Sequence, residues 1–177
     1  RTVLEKEIIL PPGLINPSRP KRLPTVLTHA EAMSVISHMR GTPRLMAKLL
    51  YGSGLRLMEC MRLRVKDIDF ENHQIIVRSE KGDDDRLTIL PDSAGAEIKQ
   101  ILQDVKALHE KDLREGYGEI FLPNALGVKY KNAGKEWGWQ YIFPASQRSI
   151  DPLSGVIRRH HLDESVLQKA IRNTAQI

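Results

Sequence analysis

Two cations and one carboxylate, Arg56, Lys81 and Glu59, carry the chemistry legible in this chain. All three lie in the run LLYGSGLRLMECMRLRVKDIDFENHQIIVRSEKGDDDRLTIL from Leu49 to Leu90. Arg56 follows the turn-prone Gly52-Ser53-Gly54 and opens a helical pattern, with Glu59 three residues on to hold it. A guanidinium at a helix mouth is placed to fork onto a phosphate. Lys81, followed by Gly82 and flanked by two strand-like runs, falls at a hairpin tip, where an ammonium can act as a second cation or a proton donor. Together they point to phosphoryl chemistry on nucleic acid. Each also has a plain structural reading, a surface salt bridge for Arg56 with Glu59 and a solvated turn for Lys81.

These residues need elements to position them. Thr28 and Glu31 have capping-box spacing, so a helix starts there with Met33, Ile36 and Met39 on its apolar face. Gly41-Thr42-Pro43 ends it and starts a second helix through Leu45, Leu49 and Leu50 that stops at Gly52. A third helix runs from about Leu57 to Leu63. Ile68 to Phe70, Gln74 to Arg78 and Arg86 to Leu90 are β-branched or apolar runs between turn residues, which predicts a small antiparallel sheet with Lys81 on its second turn. After Pro91, Ile98, Ile101, Leu102, Val105 and Leu108 recur at helical spacing until Gly116 and Gly118. Residues 119–152 read as irregular, with Trp137, Trp139, Tyr141 and Phe143 close together. A strand-like Val156 to Arg159 leads into a last helix near Asp163, with Val166, Leu167, Ala170 and Ile171 inward.

Composition bounds the function. The chain has 177 residues and a mass of 20.1 kDa, enough for one domain with a real core. No apolar run approaches the ~20 residues of a membrane span. A net charge of +5 and a pI of about 9.4 favour a polyanionic partner. The single cysteine, Cys60, has no internal disulfide partner, is expected on a buried helix face, and agrees with a reducing, cytoplasmic setting. The segment from Pro11 to Pro24 reads as a linker, and its basic end, Arg19-Pro20-Lys21-Arg22, as either a solvated tether or a contact to a DNA backbone. The chain begins at Arg1 rather than a methionine, so a segment upstream is expected.

The run LLYGSGLRLMECMRLRVKDIDF, followed by IIVRSEKGDDDRLTILP, resembles the first half of the catalytic domain of the tyrosine recombinases, the phage-integrase superfamily. The linker SRPKRLPTVLT, the aromatic segment WGWQYIFPASQRSIDPLSG and the run VIRRHHLDESVLQKAI resemble the integron integrases in particular. The resemblance implies an α+β fold, a mainly helical catalytic domain of a DNA breaking and rejoining enzyme with a small three-stranded antiparallel sheet. Residues 1–23 would be the end of an N-terminal DNA-binding domain and a basic linker. Residues 24–177 would be part of the catalytic domain, with an integron-type insertion at about 119–155.

By the same resemblance, Arg56 is similar to the first of two arginines that grip the scissile phosphate, Glu59 to the acidic residue that buttresses it, and Lys81 to the hairpin lysine that protonates the leaving 5′ oxygen. Arg19, Lys21 and Arg22 would contact the DNA backbone. Trp139, Pro152, His160 and His161 fall at positions that contact bases extruded from folded single-stranded recombination sites. The family needs neither metal nor nucleotide cofactor, and it assembles as a synaptic tetramer on DNA in the bacterial nucleoid. It also supplies a His-x-x-Arg motif and a nucleophilic tyrosine, which are expected beyond Ile177, since none of Tyr51, Tyr117, Tyr130 and Tyr141 stands in that context. As written, the chain would therefore hold half an active site. Asp83-Asp84-Asp85 stands where relatives often carry a second hairpin lysine, making this tip more acidic.

Two other readings remain at this stage. A metal-dependent nuclease would use Asp67, Asp69 and Asp83 to Asp85 as ligands with His160 or His161 assisting, which requires carboxylates converging on one point. A non-catalytic DNA-binding module, a natural or experimental truncation, would clasp DNA through the basic linker.

Overall fold

Local capping sets the first elements of the computed structural model, which describes residues 26–78, 85–122, 132–152 and 154–176. Helix α1 (His29–His38) starts where the spacing predicts. The Thr28 hydroxyl accepts from the Glu31 amide, and the Glu31 carboxylate accepts from the Thr28 amide at 2.8 Å. Its buried face is Ala32, Ile36 and, just past the helix, Met39, whereas Met33 is 44% exposed. Around the helix, Ala32 and Met39 lie on one side of Ile36 and Met33 on the other, which corrects the expected face.

Helix α2 (Gly41–Ser53) buries Leu45, Met46, Ala47 and Leu49 and packs against α1. It ends on Gly54 in the left-handed region, at φ 63°, a conformation that glycine adopts without a Cβ penalty. That turn sends Leu55 into the core and leaves Arg56 at the start of α3 (Leu57–Met61). Helix α3 is shorter than expected and stops at Arg62. Cys60 is fully buried on it, and burial pushes its thiol up to about 12, which makes it inert at neutral pH.

The three expected strands form one antiparallel sheet in the order β1 (Ile68–Asp69), β2 (Gln74–Val77), β3 (Arg86–Ile89). Ile68 pairs with Ile75, and Val77 with Arg86. The β1–β2 turn is fixed by Asp69, whose carboxylate accepts from the amides of Glu71 and Asn72. Helix α4 (Asp92–Arg114) follows, with Ala94, Ile98 and Val105 buried and Ile101, Leu102 and Leu108 half-buried, as the periodicity requires. Its buried stripe then continues through two polar residues, His109 and Asp112.

The described residues after α4 carry more backbone pairing than their composition suggests. Residues 140–145 form a spine between two others: Val65 donates to the Gln140 carbonyl and Ile142 to that of Leu63, while Leu162 donates to Phe143 and Ala145 to His160. Phe143 and Ile142 join the main core with Leu45, Met46 and Leu49, and Tyr141 joins a smaller cluster with Ile120, Leu122 and Ala133. A second ladder that the sequence did not reveal pairs β4 (Ser149–Ile150) with β5 (Ile157–Arg158). Helix α5 (Glu164–Thr174) is capped by Asp163 and buries Leu167 against the core. Val166, expected inward, is 37% exposed. Among the described residues no helix is long and apolar enough to cross a membrane.

Arginines hold this segment in place. Arg64, 6% exposed, donates to the carbonyls of Trp139 at 2.8 Å and Phe121 at 3.1 Å and lies on the Tyr141 ring. Arg159 forks onto buried Asp112 at 2.6 and 2.9 Å and also donates to the carbonyls of Ala145 and Ser146. Arg158 turns the other way, to Asp151 at 2.6 Å and Glu119 at 2.8 Å. Each unmet buried carbonyl costs ~1–3 kcal/mol, so replacing Arg64 with Met, which keeps bulk but no donor, should lower unfolding stability by about 2–4 kcal/mol. Denaturant melts of the two proteins measure that difference.

Candidate phosphate-binding site

The helix mouth at α3 is organised around one carboxylate. Glu59, whose side chain is 14% exposed, accepts from the Arg56 amide at 2.7 Å and from Arg56 Nη1 at 3.1 Å. It also accepts a parallel fork from Arg86 on β3, Nη1 to Oε1 and Nη2 to Oε2, both at 2.8 Å. Arg86 and, with it, burial and the Arg56 amide set the charge state of Glu59. The fork and the amide outweigh desolvation and hold the carboxyl at about 2, well below its ordinary 4.5. The Arg56 side chain remains 84% exposed. It is a tethered guanidinium with most of its donors open to a ligand.

Arg86 was not singled out in the sequence, although one signal marks it. The strand Arg86-Leu87-Thr88-Ile89 alternates, and alternation alone would turn Leu87 and Ile89 inward. They point outward instead, 63% and 69% exposed, while Arg86 reaches Glu59 and Thr88 donates to the Ser53 carbonyl at 2.7 Å. Burying a Leu or Ile side chain is worth ~1.5–3 kcal/mol, so this register forgoes apolar burial to keep two polar anchors on the turn that presents Arg56. Lys81, Arg19, Lys21, Arg22 and the run Asp83-Asp84 lie outside the described residues.

A second group surrounds Trp139. Lys66 Nζ lies 2.7 Å from its ring centroid, and the guanidinium groups of Arg64 and Arg78 stand 5.6 and 5.5 Å away. Burial, with Arg78 nearby, lowers the Lys66 ammonium below its ordinary value. Asp67, 2% exposed, balances this cluster by accepting from Arg78 Nε at 2.7 Å and from the Arg64 amide. His161 packs edge-on against Tyr141, with ring centroids 5.6 Å apart, and its Nδ1 bonds the Leu162 carbonyl. Through Arg64 and Tyr141 the fold thus links Trp139 to His161. His160 is half-buried beside it, and Pro152 is exposed in the turn between β4 and β5.

The carboxylates of the nuclease reading do not converge. Asp67 serves Arg78, Asp69 serves its own turn, and among the described residues no three His, Cys, Asp or Glu side chains gather in a metal-binding group. The Glu59 pair makes a testable pH signature. A carboxyl depressed in the folded state stabilises it above its unfolded pKa, and that gain is lost as pH falls through the folded value. The stability advantage of the native protein over Glu59→Gln should therefore be complete above about pH 4.5 and vanish as pH falls towards about 2, as read from paired denaturant melts across that window.

Comparisons with known proteins bear on the family and the fold. The model of the phage integrase family matches residues 25–176. An integrase/recombinase of Escherichia coli is 42% identical over 164 residues, which cover 93% of this chain and 48% of the relative. The tyrosine recombinase XerA of Pyrococcus furiosus is 41% identical over 93 residues, covering 51% of this chain and 32% of the relative. A crystal structure of XerA recombinase matches with a TM-score of 0.53 at 23% identity, over 96% of this chain and 48% of that one, a likeness of fold. The chain spans about half the length of the integrase/recombinase relatives it matches. With a family match over nearly its whole length and the same mainly helical α+β fold, the chain belongs to the phage integrase family, within the tyrosine recombinases.

Proposed function

We propose that this chain is the portion of a site-specific DNA recombinase that grips the scissile phosphate with Arg56 and protonates the leaving oxygen with Lys81. The observation that carries the reading is Arg56 itself, fixed at its backbone and one nitrogen by Glu59 while its side chain stays 84% exposed. The names of the relatives, integrase/recombinase and tyrosine recombinase, support it.

In strand cleavage a tyrosine hydroxyl loses its proton to solvent as its oxygen bonds to phosphorus, and the bond to the 5′ oxygen breaks. Lys81 supplies the proton that the departing oxygen takes. Charge on the pentacoordinate phosphorus falls on Arg56 and a second arginine, a stabilisation that is electrostatic and preorganised. The resemblance assigns that tyrosine and that second arginine to no residue of this chain. Rejoining is the reverse attack by a 5′ hydroxyl on the phosphotyrosine ester, so bond energy is conserved and no nucleotide is consumed.

The finer reading is an integron-type integrase acting on gene-cassette sites as a synaptic tetramer in the bacterial cytoplasm. Arg19, Lys21 and Arg22 track the phosphate backbone, giving affinity that falls steeply with salt. Trp139, Pro152, His160 and His161 face extruded bases of a folded single strand. Lys66 already lies over the Trp139 ring, so a base stacking there would displace the ammonium.

In the complete protein, Arg56→Ala should lower strand cleavage by ~10²–10³-fold or more, the usual loss for one transition-state donor. Cleavage at the native rate would overturn the assignment. Trp139→Ala should weaken binding to a hairpin with extruded bases by roughly 10-fold, from ~1–3 kcal/mol of stacking per base, and leave binding to a perfect duplex unchanged. Parallel titrations of the two DNAs read that difference.

A further inference from the structure

Arg86 fills half of the Glu59 carboxylate, and the other half holds Arg56. The four hydrogen bonds on Glu59 divide evenly, two from the Arg86 fork and two from the amide and Nη1 of Arg56. A carboxylate relieved of Arg86 would present both oxygens to its remaining cation among the described residues, the Arg56 guanidinium. That group would then fold inward as a bidentate pair and turn its donors away from solvent. Arg86 also opens strand β3, and Thr88, two residues further, is bonded to the Ser53 carbonyl at the end of α2. Strand β3 is thus moored on both sides of the Gly54 turn that presents Arg56. The strand accepts outward-facing Leu87 and Ile89 to achieve it.

We propose that Arg86 is a positioning residue of the phosphate site: its fork saturates Glu59, keeps the Arg56 guanidinium turned outward, and ties strand β3 to the helix mouth that bears Arg56. This rests on the reading of Arg56 as a group that meets the scissile phosphate. Arg86 itself touches no reacting atom. Its effect is on the orientation of the Arg56 guanidinium, and misplacement on the scale of an ångström costs on the order of 10²-fold in rate.

The test uses the complete protein and a nicked DNA substrate that traps the covalent intermediate, with single-turnover cleavage followed as a function of pH. Arg86→Gln should slow cleavage by ~10²-fold while DNA affinity stays near native. The acid limb of its pH profile should move to higher pH, because Glu59 loses the partner that keeps it ionised. A purely structural role for Arg86 would not move that limb. Arg86→Lys keeps the charge and the strand but has no fork, so it should fold with a near-native melting temperature and still cleave slowly. It serves as the deciding variant if Arg86→Gln does not fold. Native cleavage rate and an unmoved acid limb in the folded variant would overturn the proposal. Arg56→Ala in the same assay separates the two levels. If it cleaves normally, the phosphate-site reading fails; if it is inactive while both Arg86 variants cleave normally, only the role of Arg86 fails.

Discussion

The Glu59 carboxylate is the constraint from which the arrangement of this site follows. It lies where three pieces of chain meet: the turn after α2, the first residues of α3, and strand β3. A carboxylate there without cations would be repelled by its own desolvation, and the two arginines without it would repel each other. Held together, they lower the Glu59 proton affinity to about 2 and lock the start of α3 to the sheet. A half-buried ion pair of this kind gains from a fork geometry that a lysine could not supply.

The same economy of arginines governs the aromatic segment. Arg64, Arg158 and Arg159 are each largely removed from solvent, and each donates to fixed carbonyls or carboxylates. Arg158 and Arg159 are adjacent on the chain and turn to opposite partners, which pins both sides of the β4–β5 hairpin. Buried pairs add little net stability when replaced as a unit, but removing one partner is costly. They therefore specify where the segment docks more than they strengthen it. Trp139, Tyr141 and His161 take their orientation from that docking.

Most of what was legible in the sequence is local. The Thr28–Glu31 box, the Gly54 turn, the Arg56–Glu59 spacing, the three strands and the α4 periodicity all involve residues within a few positions of one another. Their signals survive without tertiary context. The misses are non-local or a matter of register. Arg86 meets Glu59 across 27 positions, and Arg159 meets Asp112 across 47. The buried His109 and Asp112 extend an apolar stripe with polar residues, which a hydrophobic pattern cannot anticipate. Met33 and Val166 were placed inward because a short helix gives two nearly equivalent faces, and packing against α2 and its neighbours decides between them.

Strand β3 is the place where pattern and fold disagree most clearly. Its alternation favours burying Leu87 and Ile89, and a one-residue slip of register would do so. Such a slip would swing Arg86 and Thr88 to the outer face, releasing both Glu59 and the Ser53 carbonyl. The observed register keeps a saturated carboxylate and a satisfied carbonyl and leaves Leu87 and Ile89 in water. A sequence tuned for burial alone would have reversed the polarity of those four residues, so their order is itself the trace of what the strand is built to hold.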